Sequence, residues 1–437
     1  MRTSGKGRWA LVQVATVLAL SWATGIGAAD VPAAGLAVKP GDRIVIAGDS
    51  ITEQKRYSRF IEDYLTVCVP ELELWCVQIG WSGEKLPGLL QRMEWDVFGF
   101  QPNLVTICYG MNDGGYRAYD DKTGAAYRAN LQAFLDRAQK SNVRVIVGSP
   151  GAVDTTTYGP RGGGAVVYND TLAHLAQIAQ EQAAAHGMPF ANVHEPMMRA
   201  MAGAKAAYGE AYHLCGPDGV HPAGNGHVVM AYAFLRAMGL SGQIGTFTFD
   251  RQTGKGDVTA GHRIVAADAH GMEIESRRYP FCFSGDGKSP DSTLSILPYV
   301  PFNQELNRLT LVVKHPAAAK IAVTWGTSRK VFTGEQLAGG INLAAEFPAN
   351  PFCDAFGKVD AAVTAKQGDE TKLIKTYFAT LADLQTSLAP EEAVANAVKL
   401  LREKVAAKCA AHHSLVTGAF RPITHRLSIE PVTAADN

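Results

Sequence analysis

Short runs of consecutive apolar residues recur between Asp42 and about Leu240, separated by longer stretches with helical periodicity. Arg43-Ile44-Val45-Ile46-Ala47, Leu104 to Tyr109 and Val143 to Val147 have the pattern of strands buried on both faces. Leu72 to Ile79 and the short Phe190-Ala191-Asn192-Val193 also read as strands. Tyr57 to Leu65 places Phe60, Ile61, Tyr64 and Leu65 on one helical stripe, and Tyr127–Ala138, Tyr168–His186 and His227–Met238 are further predicted helices. This β-α-β-α rhythm predicts a parallel sheet covered on both faces, with its site at the carboxyl ends of the strands.

After Gly242 the texture changes. Short strand-like pieces at 246–249, 263–265, 272–275, 293–296, 309–313, 320–325 and 330–332 are separated by Asn, Gly and Pro turns. They predict a smaller antiparallel β-rich domain over 243–340, with the form of a sandwich. Residues 341–437 are expected to be mainly helical, with Leu384, Leu388, Val394, Val398, Leu401 and Val405 at broadly helical spacing. The α/β domain is assigned to 30–242.

The first 29 residues are not expected to belong to the fold. Arg2, Lys6 and Arg8 precede an uncharged apolar stretch, and Gly27-Ala28-Ala29 supplies small residues for cleavage. This predicts a signal peptide and an exported, periplasmic or extracellular protein with no membrane span after cleavage. Among all 437 residues, Lys+Arg and Asp+Glu both number 41, so no basic excess points to nucleic acid. The seven cysteines are scattered and lack C-x-x-C spacing, which argues against a metal site and leaves disulfide pairing open.

Four blocks follow successive predicted strands. Gly48-Asp49-Ser50-Ile51-Thr52 puts a serine at the end of the first strand, where a following helix N-terminus favours negative charge. The bland alternative is an N-capping turn. Gly80-Trp81-Ser82-Gly83 is a glycine loop that would let a backbone N–H approach a ligand. Gly110-Met111-Asn112-Asp113 offers a neutral amide donor suited to an oxyanion. In Asp218-Gly219-Val220-His221-Pro222, the aspartate can orient the histidine across one turn. Each block alone is weak; their order within one α/β domain is specific.

In that order, the blocks resemble the SGNH hydrolase (GDSL-type esterase/lipase) superfamily over about residues 42–240. The resemblance implies a flavodoxin-like three-layer fold and a cofactor-free, metal-free serine esterase acting on carboxylic esters. It places the catalytic triad on Ser50, Asp218 and His221, and the oxyanion hole on Ser50, Gly83 and Asn112. Gln78 stands where the second block often has Asn, which makes Gly80 a competitor for the role of Gly83. An exported member with a β-rich companion resembles esterases that remove acetyl groups from polysaccharides. Trp81, Tyr109 and Tyr116, with Tyr119 nearby, are candidate stacking partners for sugar rings. The alternatives are a short-chain lipase or aryl esterase, or a non-catalytic carbohydrate-binding protein on the same fold. All chemistry is expected within 30–242.

Overall fold

A computed structural model describes residues 37–316, 318–388 and 391–432. The expected signal peptide lies outside the described residues. Five strands form the first sheet: β1 (Arg43–Gly48), β2 (Trp75–Gln78), β3 (Leu104–Cys108), β4 (Arg144–Gly148) and β5 (Phe190–Ala191). Their order is β2-β1-β3-β4-β5 and every pair is parallel. This is the flavodoxin-like doubly wound order. The connections carry α1 (Ser50–Glu53), α2 (Tyr57–Val67), α3 (Leu86–Arg92), α4 (Asp121–Lys140), α5 (Ala165–Ala185), α6 (His194–Tyr208) and α7 (Gly224–Ala237).

The continuous apolar runs follow from burial on both sides. Ile44 and Ile46 enter one core with Ile61 and Tyr64 of α2 and Phe234 of α7. Val45 and Ala47 enter the other with Leu89 of α3 and Leu131, Phe134 and Leu135 of α4. Each such aliphatic side chain, fully buried, contributes about 1.5–3 kcal/mol. Helix α6 was not predicted, because its buried stripe is shallow: Met197, Ala200, Met201 and Ala204.

Beyond residue 242 come β6 (Gln243–Asp250), β7 (Lys255–Val258), β8 (His262–Asp268), β9 (Gly271–Ser276), α8 (Phe302–Glu305) and β10 (Arg308–Lys314). Then follow β11 (Lys320–Trp325), β12 (Ser328–Thr333), α9 (Gly334–Gly339), β13 (Ile341–Asn342) and α10 (Leu343–Glu346). The helices α11 (Cys353–Lys372), α12 (Ala379–Ser387) and α13 (Glu392–Ala419) lead to a last strand, β14 (Ile423–Pro431). The strands make two sheets, ordered β13-β10-β6-β7 and β12-β11-β14-β9-β8. Phe247 of β6 meets His262 and His425 of the other sheet at 4.9 and 5.8 Å between ring centroids, joining their inner faces.

Three details differ from the sequence expectation. Thr293 to Ile296 is a turn rather than a strand, because the Ser292 and Thr293 hydroxyls donate to the Ser284 carbonyl instead of facing a ladder. Strand β10 runs parallel to β6, which the long intervening connection permits. Strand β14 comes from the mainly helical C-terminal segment, yet it lies inside the last sheet between β9 and β11.

The open edge of β2 is covered by α11. Lys366 donates to the Cys76 carbonyl at 2.6 Å, and the Gln78 N–H donates to Glu370 at 3.0 Å. The Lys366 ammonium is fully buried between Glu62 (2.8 Å) and Glu370 (2.6 Å). Burial opposes its charge, but the two carboxylates outweigh that and raise its pKa. Removing one partner of a buried charge cluster leaves the others uncompensated. Lys366→Ala should therefore lose about 3–5 kcal/mol of unfolding free energy in urea melts. An unchanged midpoint would show that α11 does not secure this edge.

Candidate active site

The first strand ends at Gly48 and the chain turns at once into α1. Asp49 caps this helix, accepting from the Ile51 N–H at 2.9 Å. Ser50 is thereby fixed at the first helical position, where a backbone N–H has no intrahelical partner. The Ser50 hydroxyl lies 2.8 Å from His221 Nε2, and His221 Nδ1 lies 2.6 Å from Asp218 Oδ2. Asp218 and His221 precede α7 in one tight turn. Oδ1 of Asp218 accepts from the Val220 and His221 N–H groups, both at 3.0 Å, which leaves Oδ2 for the ring. Gly219, at φ +75°, is needed here because a Cβ would fall 2.3 Å from the Tyr158 backbone. Arg161 also donates to the Asp218 carbonyl.

Charge on this aspartate is favoured. Partial burial raises the Asp218 pKa, but the His221 N–H, the His221 ring and the Val220 N–H together hold it below the ordinary value. Its stabilisation of the turn is present above the ordinary aspartate range and is lost as pH falls through the folded-state value.

The glycine loop and the Asn112 turn are tied together. The Asn112 side-chain amide donates to the Glu84 carbonyl at 3.0 Å. Asp113 accepts from the Leu86 N–H at 3.0 Å and the Gly110 N–H at 3.1 Å. In the loop itself, Gly80 N–H donates to Gln78 Oε1, Trp81 N–H to the Gly48 carbonyl, Ser82 N–H to Glu53, and Glu84 N–H to the Trp81 carbonyl. Among the described residues, Gly83 N–H is the one in this loop left without a hydrogen-bond partner. Gly83 sits at φ +73° with open space around it, whereas a Cβ on Gly80 would meet the Glu53 nitrogen at 2.3 Å. Gly80 thus serves close packing on α1, and Gly83 retains the free donor.

The aromatic candidates separate. Tyr109 is corrected from a sugar platform to a core residue: it is 1% exposed, and its hydroxyl donates to Glu84 at 2.6 Å. Glu84 also takes Arg92 in a two-pronged ion pair. Tyr119 stacks on His174 at 4.2 Å. Trp81 is half-buried, with Arg92 and Lys375 cations 5.4 and 5.1 Å from its ring, and lines a cavity of 340 Å³ with Trp95 and Phe378. Tyr116 is half-buried, stacks on Tyr168 at 5.1 Å and donates its hydroxyl to Asn112 Oδ1 at 2.9 Å. That bond turns the amide nitrogen away from Tyr116, a positioning role beyond the one expected from sequence.

Sequence reasoning missed Glu53, Glu84 and Lys375. Glu53 accepts both the Ser82 N–H (2.6 Å) and Lys375 (2.5 Å). Lys375 follows α11, so a residue from beyond 243 braces the glycine loop. The hydrogen bonds of the Ser50 hydroxyl and the His221 ring, however, stay within residues 50–221.

Residues 46–229 match the model of the GDSL-like Lipase/Acylhydrolase family. These residues form a GDSL-like lipase/acylhydrolase domain. The class of chemistry is carboxylic ester hydrolysis. An acetylxylan esterase from Geobacillus stearothermophilus is 24% identical over 223 residues, 46% of this chain and 94% of that protein. A crystal structure of an acetylxylan esterase from that organism covers 46% of this chain and 96% of its own, with 24% identity and a TM-score of 0.39. A gut microbial diltiazem-metabolizing enzyme has the same fold over 90% of this chain and 98% of its own, with a TM-score of 0.72 and 21% identity. Its match extends past the GDSL-like domain into the β-rich and helical parts.

Two outcomes follow. Tyr116→Phe removes one hydroxyl and frees the Asn112 amide to rotate. Turnover should fall several-fold, about the effect of one hydrogen bond, with KM nearly unchanged. A raised KM with unchanged kcat would make Tyr116 a substrate contact instead. Asp49 is 2% exposed, and burial pushes its carboxyl up to about 7 despite the Ile51 N–H. Between its ordinary value and about 7, the folded state holds a proton that the unfolded state has lost. Stability should therefore fall as pH rises across that window, by up to ~1.4 kcal/mol per unit. Asp49→Asn keeps the capping oxygen and should flatten the fall in denaturant melts; an identical slope in the variant would contradict it.

Proposed function

We propose that this chain is an exported serine esterase that removes O-acetyl groups from carbohydrate. The hydrogen-bonded line from Asp218 through His221 to Ser50, at the carboxyl end of the first sheet, carries the proposal. A serine hydroxyl is a weak nucleophile until a base takes its proton. His221 Nε2 is placed to take it as Ser50 Oγ attacks the ester carbonyl carbon, and Asp218 stabilises the resulting imidazolium. The carbonyl oxygen becomes an oxyanion. The Ser50 and Gly83 N–H groups and the Asn112 amide are the donors for it. The tetrahedral intermediate collapses, and His221 protonates the departing alcohol. Water then attacks the acyl-serine with His221 again as base, releasing the acid and restoring Ser50.

Export rests on the N-terminal sequence pattern. The acetylated-carbohydrate substrate is supported by the resemblance to polysaccharide deacetylating esterases and by Trp81 and Tyr116 beside the two oxyanion blocks. A purely binding role would not require an aligned triad.

Acetate release from a panel of acetylated oligosaccharides, beside a generic aryl acetate, tests the substrate. Ser50→Ala should cut turnover by roughly 10⁴–10⁶-fold while the thermal melt stays unchanged. Near-wild-type turnover in folded Ser50→Ala would refute the nucleophile. Aryl acetate cleavage without acetate release from any glycan would refute the substrate.

A further inference from the structure

We propose that Cys282 and Cys353 form a reactive dithiol that closes to an intramolecular disulfide. They are the two half-buried cysteines; Cys68, Cys76, Cys108, Cys215 and Cys409 are buried. Both thiols touch the same turn at Asn350. Cys282 Sγ lies 3.9 Å from Asn350 Oδ1, and the Asn350 N–H donates to Cys353 Sγ at 3.5 Å. The two cysteines line one cavity of 540 Å³, beside Arg56 and Arg59, which gives a reagent a path to the sulfurs.

The two thiols are not equivalent. Cys353 is the first residue of the twenty-residue helix α11, where the helix N-terminus favours a thiolate. The neighbouring Cys282 thiol and then, against burial, the Asn350 N–H hold its pKa down to about 6. Cys282 is shifted upward, first by the Cys353 contact and then by burial. Cys353 is therefore the attacking sulfur and Cys282 the resolving one.

The oxidant is a disulfide, protein or small molecule. The Cys353 thiolate attacks one of its sulfurs, forming a mixed disulfide and releasing one thiolate. Cys282 then loses its proton and attacks Cys353 Sγ, releasing the second. Two protein thiols are oxidised, one external disulfide is reduced to two thiols, and the two protons leave with them. The new bond closes a loop of about 70 residues, long enough for a sizeable stabilisation. It ties the segment after β9 to the first turn of α11, the helix that covers the edge of β2 through Lys366 and Glu370.

The test uses the purified full-length chain and oxidised glutathione, and is independent of substrate. After oxidation, unreacted thiols are alkylated and the chain is digested without reductant. Mass spectrometry should find a peptide containing Cys282 linked to one containing Cys353, two hydrogens lighter than the separate pair. The melting temperature should rise by roughly 5 °C over the reduced protein. Cys282→Ser and Cys353→Ser should each abolish that rise. Alkylation of both cysteines after oxidation, glutathione retained on Cys353, or linkage to any other cysteine would each overturn the proposal.

Discussion

The hydrogen bond between Asp218 and His221, 2.6 Å long and spanning three residues, is the constraint on which the site depends. It fixes the imidazole so that Nε2 points at Ser50, and it favours positive charge on the ring at the moment a proton is taken. The turn that permits it needs a glycine at 219, because the backbone there is left-handed and presses on Tyr158. The first Asp218 oxygen holds two backbone N–H groups, and only the second serves the ring. The turn and the charge relation are built by the same side chain.

The opposite half of the site depends on parts of the chain far away in sequence. Gly83 and Asn112 are linked through the Glu84 carbonyl, and Glu84 is anchored by Arg92 and Tyr109. The glycine loop is held by Gln78 and Glu53. Both of those are in turn held by the segment from α11 to Lys375. The C-terminal helices therefore belong to the support of the α/β site, although among the described residues their side chains make no hydrogen bond to Ser50 or His221. Rigid support of this kind is what oxyanion donors need, since they act only if placed before the reaction begins.

This division explains what the sequence made legible. Strands β1, β3 and β4 were readable because burial on both faces writes consecutive apolar residues. The four blocks were readable because three sit directly after strands β1, β2 and β3 and the fourth sits just before the closing helix α7. The support was not. The Glu53–Lys375 pair joins residues 322 positions apart, and no local period records it. Strand β14 lies behind a 28-residue helix and places His425 in a core position, where Trp325 donates to it at 3.0 Å. A polar residue inside a strand hides its buried face. Tyr109 looked like a ligand contact because it flanks Gly110, but strand alternation points its ring into the second core. Tyr116 was found by position, yet its bond to Asn112 requires a turn with φ +55° that the sequence does not announce.

The central claim is that Ser50 is activated by His221 as a nucleophile. Labelling with a fluorophosphonate, which requires an activated serine, addresses it most directly. Digestion and mass spectrometry after labelling should place the adduct on Ser50 alone, and His221→Ala should suppress it in protein that remains folded. An adduct on another serine, or undiminished labelling of Ser50 in folded His221→Ala, would contradict the account.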